Sequence, residues 1–207
     1  MSDSAHRYVL ISGSTRKASQ SGKVTRYLAG RLSELDPGCA AEVVDLAFTP
    51  IEPWHEGLWE PGAVASDVWR ETSAKLAAAD ALVLVSPEWN GMVSPALLNV
   101  FLMASKKELA HKPAMAVGVS ASTGGAYPVA ELRSYGHKNT QIVYIPDHVI
   151  VRNVRTVLNA PEAESEAEEW LRGRMDYSLQ ILSAYARALR SVRQSGLVDL
   201  ESYPYGM

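Results

Sequence analysis

Residues 13–22, Gly13-Ser14-Thr15-Arg16-Lys17-Ala18-Ser19-Gln20-Ser21-Gly22, combine two glycines, four hydroxyl side chains and two basic residues. They follow the apolar run Tyr8-Val9-Leu10-Ile11 and precede Val24, Leu28, Leu32 and Leu35, which recur at helical spacing. A Gly-Ser loop by itself is only a turn. Between a strand and a helix it becomes a phosphate site, because free N–H groups, the positive end of the helix dipole and hydroxyl donors converge there. Gly22-Lys23 lacks the upstream glycine and the following Ser or Thr of a nucleoside triphosphate loop. Gly13 lacks the spaced glycines of a dinucleotide fingerprint. A flavin or a nucleoside monophosphate is what remains.

Two more segments share this character. Ser86-Pro87-Glu88-Trp89-Asn90-Gly91-Met92-Val93 places an aromatic and an amide beside a turn glycine, directly after the most apolar run in the chain, Ala81-Leu82-Val83-Leu84-Val85. Backbone groups of such a turn can match a pyrimidine edge while Trp89 covers ring area. Ser120-Ala121-Ser122-Thr123-Gly124-Gly125 has nothing larger than Thr and permits close backbone approach to the same ring. Each segment alone is also compatible with an ordinary turn.

Positioning three loops together requires a frame. Strand patterns occur at residues 8–11, 41–46, 81–85, 114–119 and 141–145, and helical patterns at 22–35, 63–79, 94–105, 128–138 and within 161–193. Ser94 is placed to cap the third helix, with Pro95 at its first position. Strict alternation of strand and helix predicts a doubly wound α/β sandwich with a five-stranded parallel sheet in the order 2-1-3-4-5. That order brings the loops after strands one and three together at the switch point, outside the carboxyl ends of the strands.

The chain has 207 residues, 47% hydrophobic and 21% charged, and reads as a single domain over residues 1–207. Its 20 basic and 23 acidic residues leave a net charge of −3 with no long block of one sign, which predicts neither nucleic acid nor a membrane surface as partner. The polar start, residues 1–6, predicts no secretory signal, and a cytoplasmic location follows. Cys39 is the single cysteine and is read as structurally incidental.

The residues Gly13-Ser14-x-Arg16-x-x-Ser19, Pro87-Glu88-Trp89-Asn90-Gly91 with Asn99, and Ser120 with Gly124-Gly125 resemble the NADPH-dependent FMN reductase family, the flavodoxin-like branch that includes quinone, chromate and azo-dye reductases. The resemblance runs over residues 8–154. It implies that Ser14, Arg16, Ser19 and Ser21 hold the FMN phosphate, that Pro87, Glu88, Trp89, Asn90 and Gly91 follow the ring, and that Ser120, Gly124 and Gly125 flank its other edge. It further implies a hydride relay from NADPH or NADH through FMN to a small acceptor such as a quinone, an azo compound, a metal oxyanion or free flavin. A homodimer or homotetramer, and no dedicated catalytic acid, base or nucleophile, also follow from it. Trp89 stands where the family usually has tyrosine, Ser21 where asparagine is common, and Leu98 and Met103 where many members carry a lysine and an aspartate. The last two give the third helix an apolar face.

Alternatives from other classes stay open at this level. A flavodoxin-like electron carrier or flavin-sensing protein without its own turnover would share these loops, although the near-neutral charge argues against a carrier that docks through an acidic surface. Gly118-Val119-Ser120-Ala121-Ser122 approaches a nucleophile elbow, so Ser120, Asp147 and His148 form a remote serine-hydrolase candidate. Trp54, Trp59, Trp69 and Tyr144 are read as packing residues that could also roof a flavin. The stretches 152–155 and 187–193 are read as solvated faces that could also meet the 2′-phosphate of NADPH.

Overall fold

A computed structural model describes residues 5–134 and 136–205. Five parallel strands, β1 (Arg7–Ser12), β2 (Ala40–Asp45), β3 (Ala81–Pro87), β4 (Pro113–Val119) and β5 (Val143–Val151), lie in the order β2-β1-β3-β4-β5, as the alternating pattern predicts. Every residue of β3 and β4 is buried, which requires strands apolar on both faces.

The period of two along each strand divides the core. Leu10, Val83 and Val117 face one layer, made by α1 (Gln20–Leu35) and the long C-terminal helix. Val9, Leu82 and Ala116 face the other, made by α2 (Asp67–Ala78), α3 (Pro95–Met103) and α5 (Ala126–Ser134). Two single turns, α4 (Lys106–Leu109) and α6 (His137–Thr140), and α7 (Glu166–Gln194) complete the chain.

Three differences from the sequence pattern have local causes. The third helix stops at Met103, and a separate turn begins at Ser105, whose side chain and backbone form a capping box with Glu108. The helix expected over 128–138 ends at Ser134 and resumes at His137, with Gly136 at φ 85° between them; residue 135 of the expected helix lies outside the described residues, as do residues 1–4 of the expected signal-free start. β5 runs six residues past the expected end at 145. It is an edge strand and tolerates Pro146 because a bulge sets Tyr144 opposite Ala114 but His148 opposite Ala116.

At the amino edge of the sheet, Lys112 is 4% exposed, and its Nζ donates to the last carbonyls of α2, Leu76 O at 2.6 Å and Ala77 O at 2.7 Å. Burial, then repulsion from Arg193, pushes its pKa down to about 8 against the opposing pull of Asp80 and Glu108. The unfolded chain therefore holds the extra proton between about pH 8 and pH 10.5, so Lys112 makes stability rise with pH through that window. Urea midpoints measured across this range should show the rising contribution in the wild type and its loss in Lys112→Met. Identical pH profiles would contradict the buried environment of this lysine.

Candidate functional site

The loop after β1 is organised by its own serines. Ser19 is the N-cap of α1, and its Oγ accepts from Gly22 N at 3.1 Å; Ser14 Oγ accepts from Arg16 N at 3.3 Å. Both hydroxyls accept in these contacts and keep their hydrogens to donate. Ser14 and Ser21 are buried, whereas Arg16 is exposed at the rim. The loop is held to the sheet by Gly13 N donating to Val85 O at 2.8 Å and by Ser94 Oγ donating to Gly13 O at 2.5 Å. Ser94 thus caps α3 and fastens the first loop at once.

The loop after β3 is a two-residue hairpin. Trp89 and Met92 exchange backbone hydrogen bonds of 3.2 and 3.0 Å across Asn90 and Gly91, whose φ values of 51° and 73° both lie in the left-handed region. Asn-Gly is the pair that such a primed turn favours. Glu88 turns its carboxylate onto the backbone N of Gly125, in the loop after β4, while its own N donates to Val119 O at 2.9 Å. The third loop then folds back on its strand so closely that a Cβ on Gly118 would sit 2.0 Å from Gly125 O.

A fourth segment joins these three. Val154 N donates to Ser120 O at 3.1 Å, and Asn153 N to Ser122 O at 2.9 Å. Lys23 Nζ, on the first turns of α1, donates to Val154 O and Val157 O, each at 2.7 Å, and to Asn159 Oδ1 at 2.8 Å; Asn159 Nδ2 in turn donates to Arg155 O at 2.8 Å. Burial lowers the Lys23 pKa, opposed by Glu168. The segment carries Val154 and Arg155 into the cleft wall.

The cleft has a volume of about 180 Å³, and its wall includes Ser14, Arg16, Ser19 and Ser21 on one side and Pro87, Glu88 and Trp89 on the other. Asn90 and Gly91 form the exposed hairpin tip beside it, with Tyr127 approaching Gly91. Ser120, Gly124 and Gly125 do not line this cleft; the third loop contributes Ala121 to the wall, next to Val119 at the end of β4. Gln20 Oε1 is buried with no hydrogen-bond partner among the described residues. Gln20 belongs to the first loop itself, whereas Val154 and Arg155 come from the stretch 152–155 that the sequence pattern makes a solvated face; the contacts of Lys23 with Val154 O and Asn159 Oδ1 hold that stretch beside the cleft.

The hydrolase candidate is not assembled. Asp147 pairs with Arg174 at 2.7 Å, His148 Nδ1 has no hydrogen-bond partner among the described residues, and Ser120 Oγ accepts from Ser122 N at 3.2 Å. Trp69 is core, and Trp54 packs edge-on against Trp59 at 4.9 Å. Asn99 clamps the loop that carries them, its Oδ1 accepting from Trp54 N and its Nδ2 donating to Glu52 O, both at 2.8 Å. No cluster of three His, Cys, Asp or Glu suited to a metal occurs among the described residues.

The donor set suits the phosphate end of FMN: serine hydroxyls, two guanidinium groups and a helix N-terminus, with the one carboxylate in the wall already engaged by Gly125 N. The orphaned Gln20 Oε1 offers an acceptor for a ribityl hydroxyl. The cleft is smaller than the roughly 300–1,000 Å³ that enclose a whole drug-sized ligand. It therefore matches the phosphate end rather than the whole of FMN.

The sheet order and the loops at its carboxyl edge define a flavodoxin-like protein. The family model for NADPH-dependent FMN reductases matches residues 7–156. A probable NADPH:quinone oxidoreductase of rice is 32% identical over 136 residues, 63% of this chain and 66% of the rice protein. An NAD(P)H-dependent FMN reductase of Pseudomonas aeruginosa is 27% identical over 188 residues, 87% of this chain and 95% of its own length. Among solved structures, the flavoenzyme NAD(P)H:(acceptor) oxidoreductase of Paracoccus denitrificans has a TM-score of 0.66 at 19% identity, covering 87% of this chain and 99% of that one. The chain belongs to the NADPH-dependent FMN reductase family, an NAD(P)H-dependent oxidoreductase family that uses FMN.

Lys23→Met should loosen the fourth segment without unfolding α1. Hydrogen–deuterium exchange is expected to accelerate at the amides of residues 153–158 while those of residues 24–35 keep their protection. Equal protection in both proteins would remove Lys23 from its clamping role.

Proposed function

We propose that this chain, acting as a single domain, binds FMN along the loops after β1, β3 and β4 and reduces a small conjugated acceptor at the expense of NAD(P)H. The convergence of Ser14, Arg16, Ser19 and Ser21 at the N-terminus of α1, facing Pro87, Glu88 and Trp89 across one cleft, carries this reading. FMN held there would supply the hydride chemistry between nicotinamide and acceptor.

The residues of the chain bind and orient. Ser14 and Ser19 donate their free hydroxyl hydrogens to the phosphate, Ser21 lines its seat, and Arg16 closes it from the rim. Arg155 approaches from the opposite wall as a second cation. The hairpin from Pro87 to Gly91 runs along the ring, with Trp89 covering apolar area, and Ser120, Gly124 and Gly125 support the other edge. Glu88 acts by fixing the third loop through Gly125 N rather than by touching the ring.

An acceptor of the quinone or azo type is supported by two relatives, the rice quinone oxidoreductase and an NADPH azoreductase of a Bacillus strain, 28% identical over 148 residues. A homodimer is supported by the apolar surface on and beside α3, where Leu102 is 64% and Trp59 77% exposed around Phe101. No described helix is long and apolar enough to cross a membrane, which agrees with a cytoplasmic site of action.

The test is the visible spectrum of protein loaded with FMN, desalted and mixed with NADPH without oxygen. Retained flavin bands that bleach within seconds are expected; bands that persist until a partner protein is added would instead mark an electron carrier. In the same assay Arg16→Ala combined with Ser19→Ala should weaken FMN binding by about a hundredfold or more, since each charge-assisted hydrogen bond contributes about 1.5–3 kcal/mol. An unchanged dissociation constant would remove the phosphate from this loop.

A further inference from the structure

A second cleft, of about 630 Å³, opens at the opposite edge of the sheet. Arg7 begins β1, Asp80 directly precedes β3 and Lys112 directly precedes β4, so three neighbouring strands deliver their first residues to one place. The last turns of α7 add Arg190 and Arg193, and α4 adds Lys106 and Lys107. Six of the chain's 20 Lys and Arg residues line this cleft, with Asp80 as the single carboxylate. The chain as a whole is net acidic, so the concentration is local.

Asp80 is fully used. It accepts from Arg7 N at 3.0 Å, from Arg190 Nε at 3.0 Å and Nη2 at 2.6 Å, and from Arg193 Nη2 at 3.0 Å. One carboxylate offsets one positive charge. Glu42 offsets a second by pairing with Arg7 at 3.1 Å from outside the cleft. Lys112 is buried with only carbonyl oxygens as partners, and Lys107 reaches no carboxylate among the described residues. Arg193 gives one donor to Asp80 and one to His111 O at 3.0 Å, leaving three of its five N–H groups. Burial lowers the Arg193 pKa, opposed by the pull of Asp80 and aided by a smaller repulsion from Arg190; burial and then Arg193 lower that of Lys112, opposed by Asp80 and Glu108, so the cations sit within one another's field. A bound anion would relieve that repulsion.

We propose that this cleft is a second ligand site, one that binds a multivalent phosphate of the pyrophosphate or nucleoside-diphosphate class. Its volume falls in the range of small-molecule pockets, roughly 300–1,000 Å³. A low-dielectric cleft lined by one sign of charge concentrates counter-charged ligands. Ala78, Val198 and Leu200 give the cationic floor an apolar flank against which a nucleoside can rest. The seven residues of β3 separate this site from the flavin loops by about 20 Å, so one ligand cannot occupy both. The proposal is independent of the flavin assignment.

The test uses the full chain carrying Arg16→Ala and Ser19→Ala, which silences the phosphate loop of the first site. Calorimetric titration with inorganic pyrophosphate, and separately with ADP, is expected to show saturable binding that weakens as salt is raised. Adding Arg7→Ala and Lys107→Ala, both at exposed positions, should weaken it by about tenfold or more. Tighter binding of ADP than of pyrophosphate would assign the apolar flank to a nucleoside, and equal binding would confine recognition to the phosphates; either upholds the site. No binding at millimolar ligand, binding present in the wild type but lost with Arg16 and Ser19, or indifference to Arg7 and Lys107 would overturn it.

Discussion

Backbone must meet backbone at the carboxyl edge of this sheet, and the rest of the site follows from that contact. The Gly125 carbonyl occupies the space where any side chain on residue 118 would begin. The third loop can therefore lie flat on the end of β4, and its Gly125 N is left facing the second loop, where Glu88 takes it. Ser94 performs the matching task on the other side by holding Gly13 O. Parallel strands ending together make the meeting possible, and the small residues make it close.

The loops around the cleft were legible because their chemistry is local. Hydroxyls, a turn pair and small residues declare themselves within ten positions, and the strands before them are apolar on both faces. Strand order was legible through the strict alternation of elements. The end of β5 was not, since Pro146 ordinarily stops a strand and only a bulge on the sheet edge carries the chain past it. The break between α3 and α4 depends on a capping box, Ser105 with Glu108, that directly follows the apolar helix and so reads as its last turn. Arg155 was illegible for a different reason: its place in the wall comes with the Lys23 contacts across more than a hundred residues, which no local pattern encodes.

The two edges of the sheet divide the charge of the molecule between them. At the carboxyl edge, cations are few and sit at the rim of a cleft built from hydroxyls and backbone. At the amino edge, guanidinium and ammonium groups gather around one carboxylate, and Lys112 closes off the end of α2. Between them, the apolar surface beside α3 belongs to neither, and Asn99 on that helix fixes the tryptophan loop next to it.

The lysine that ties residues 154–159 to α1 also restricts how such a protein can diversify. Surface connections normally change length freely between relatives. This one cannot, because a single inserted or deleted residue would move the three oxygens that Lys23 must reach together. Variation is channelled instead to the hairpin tip, where Asn90 and Met92 are exposed, so lineages should differ at the tip while inheriting an unaltered cleft wall behind it.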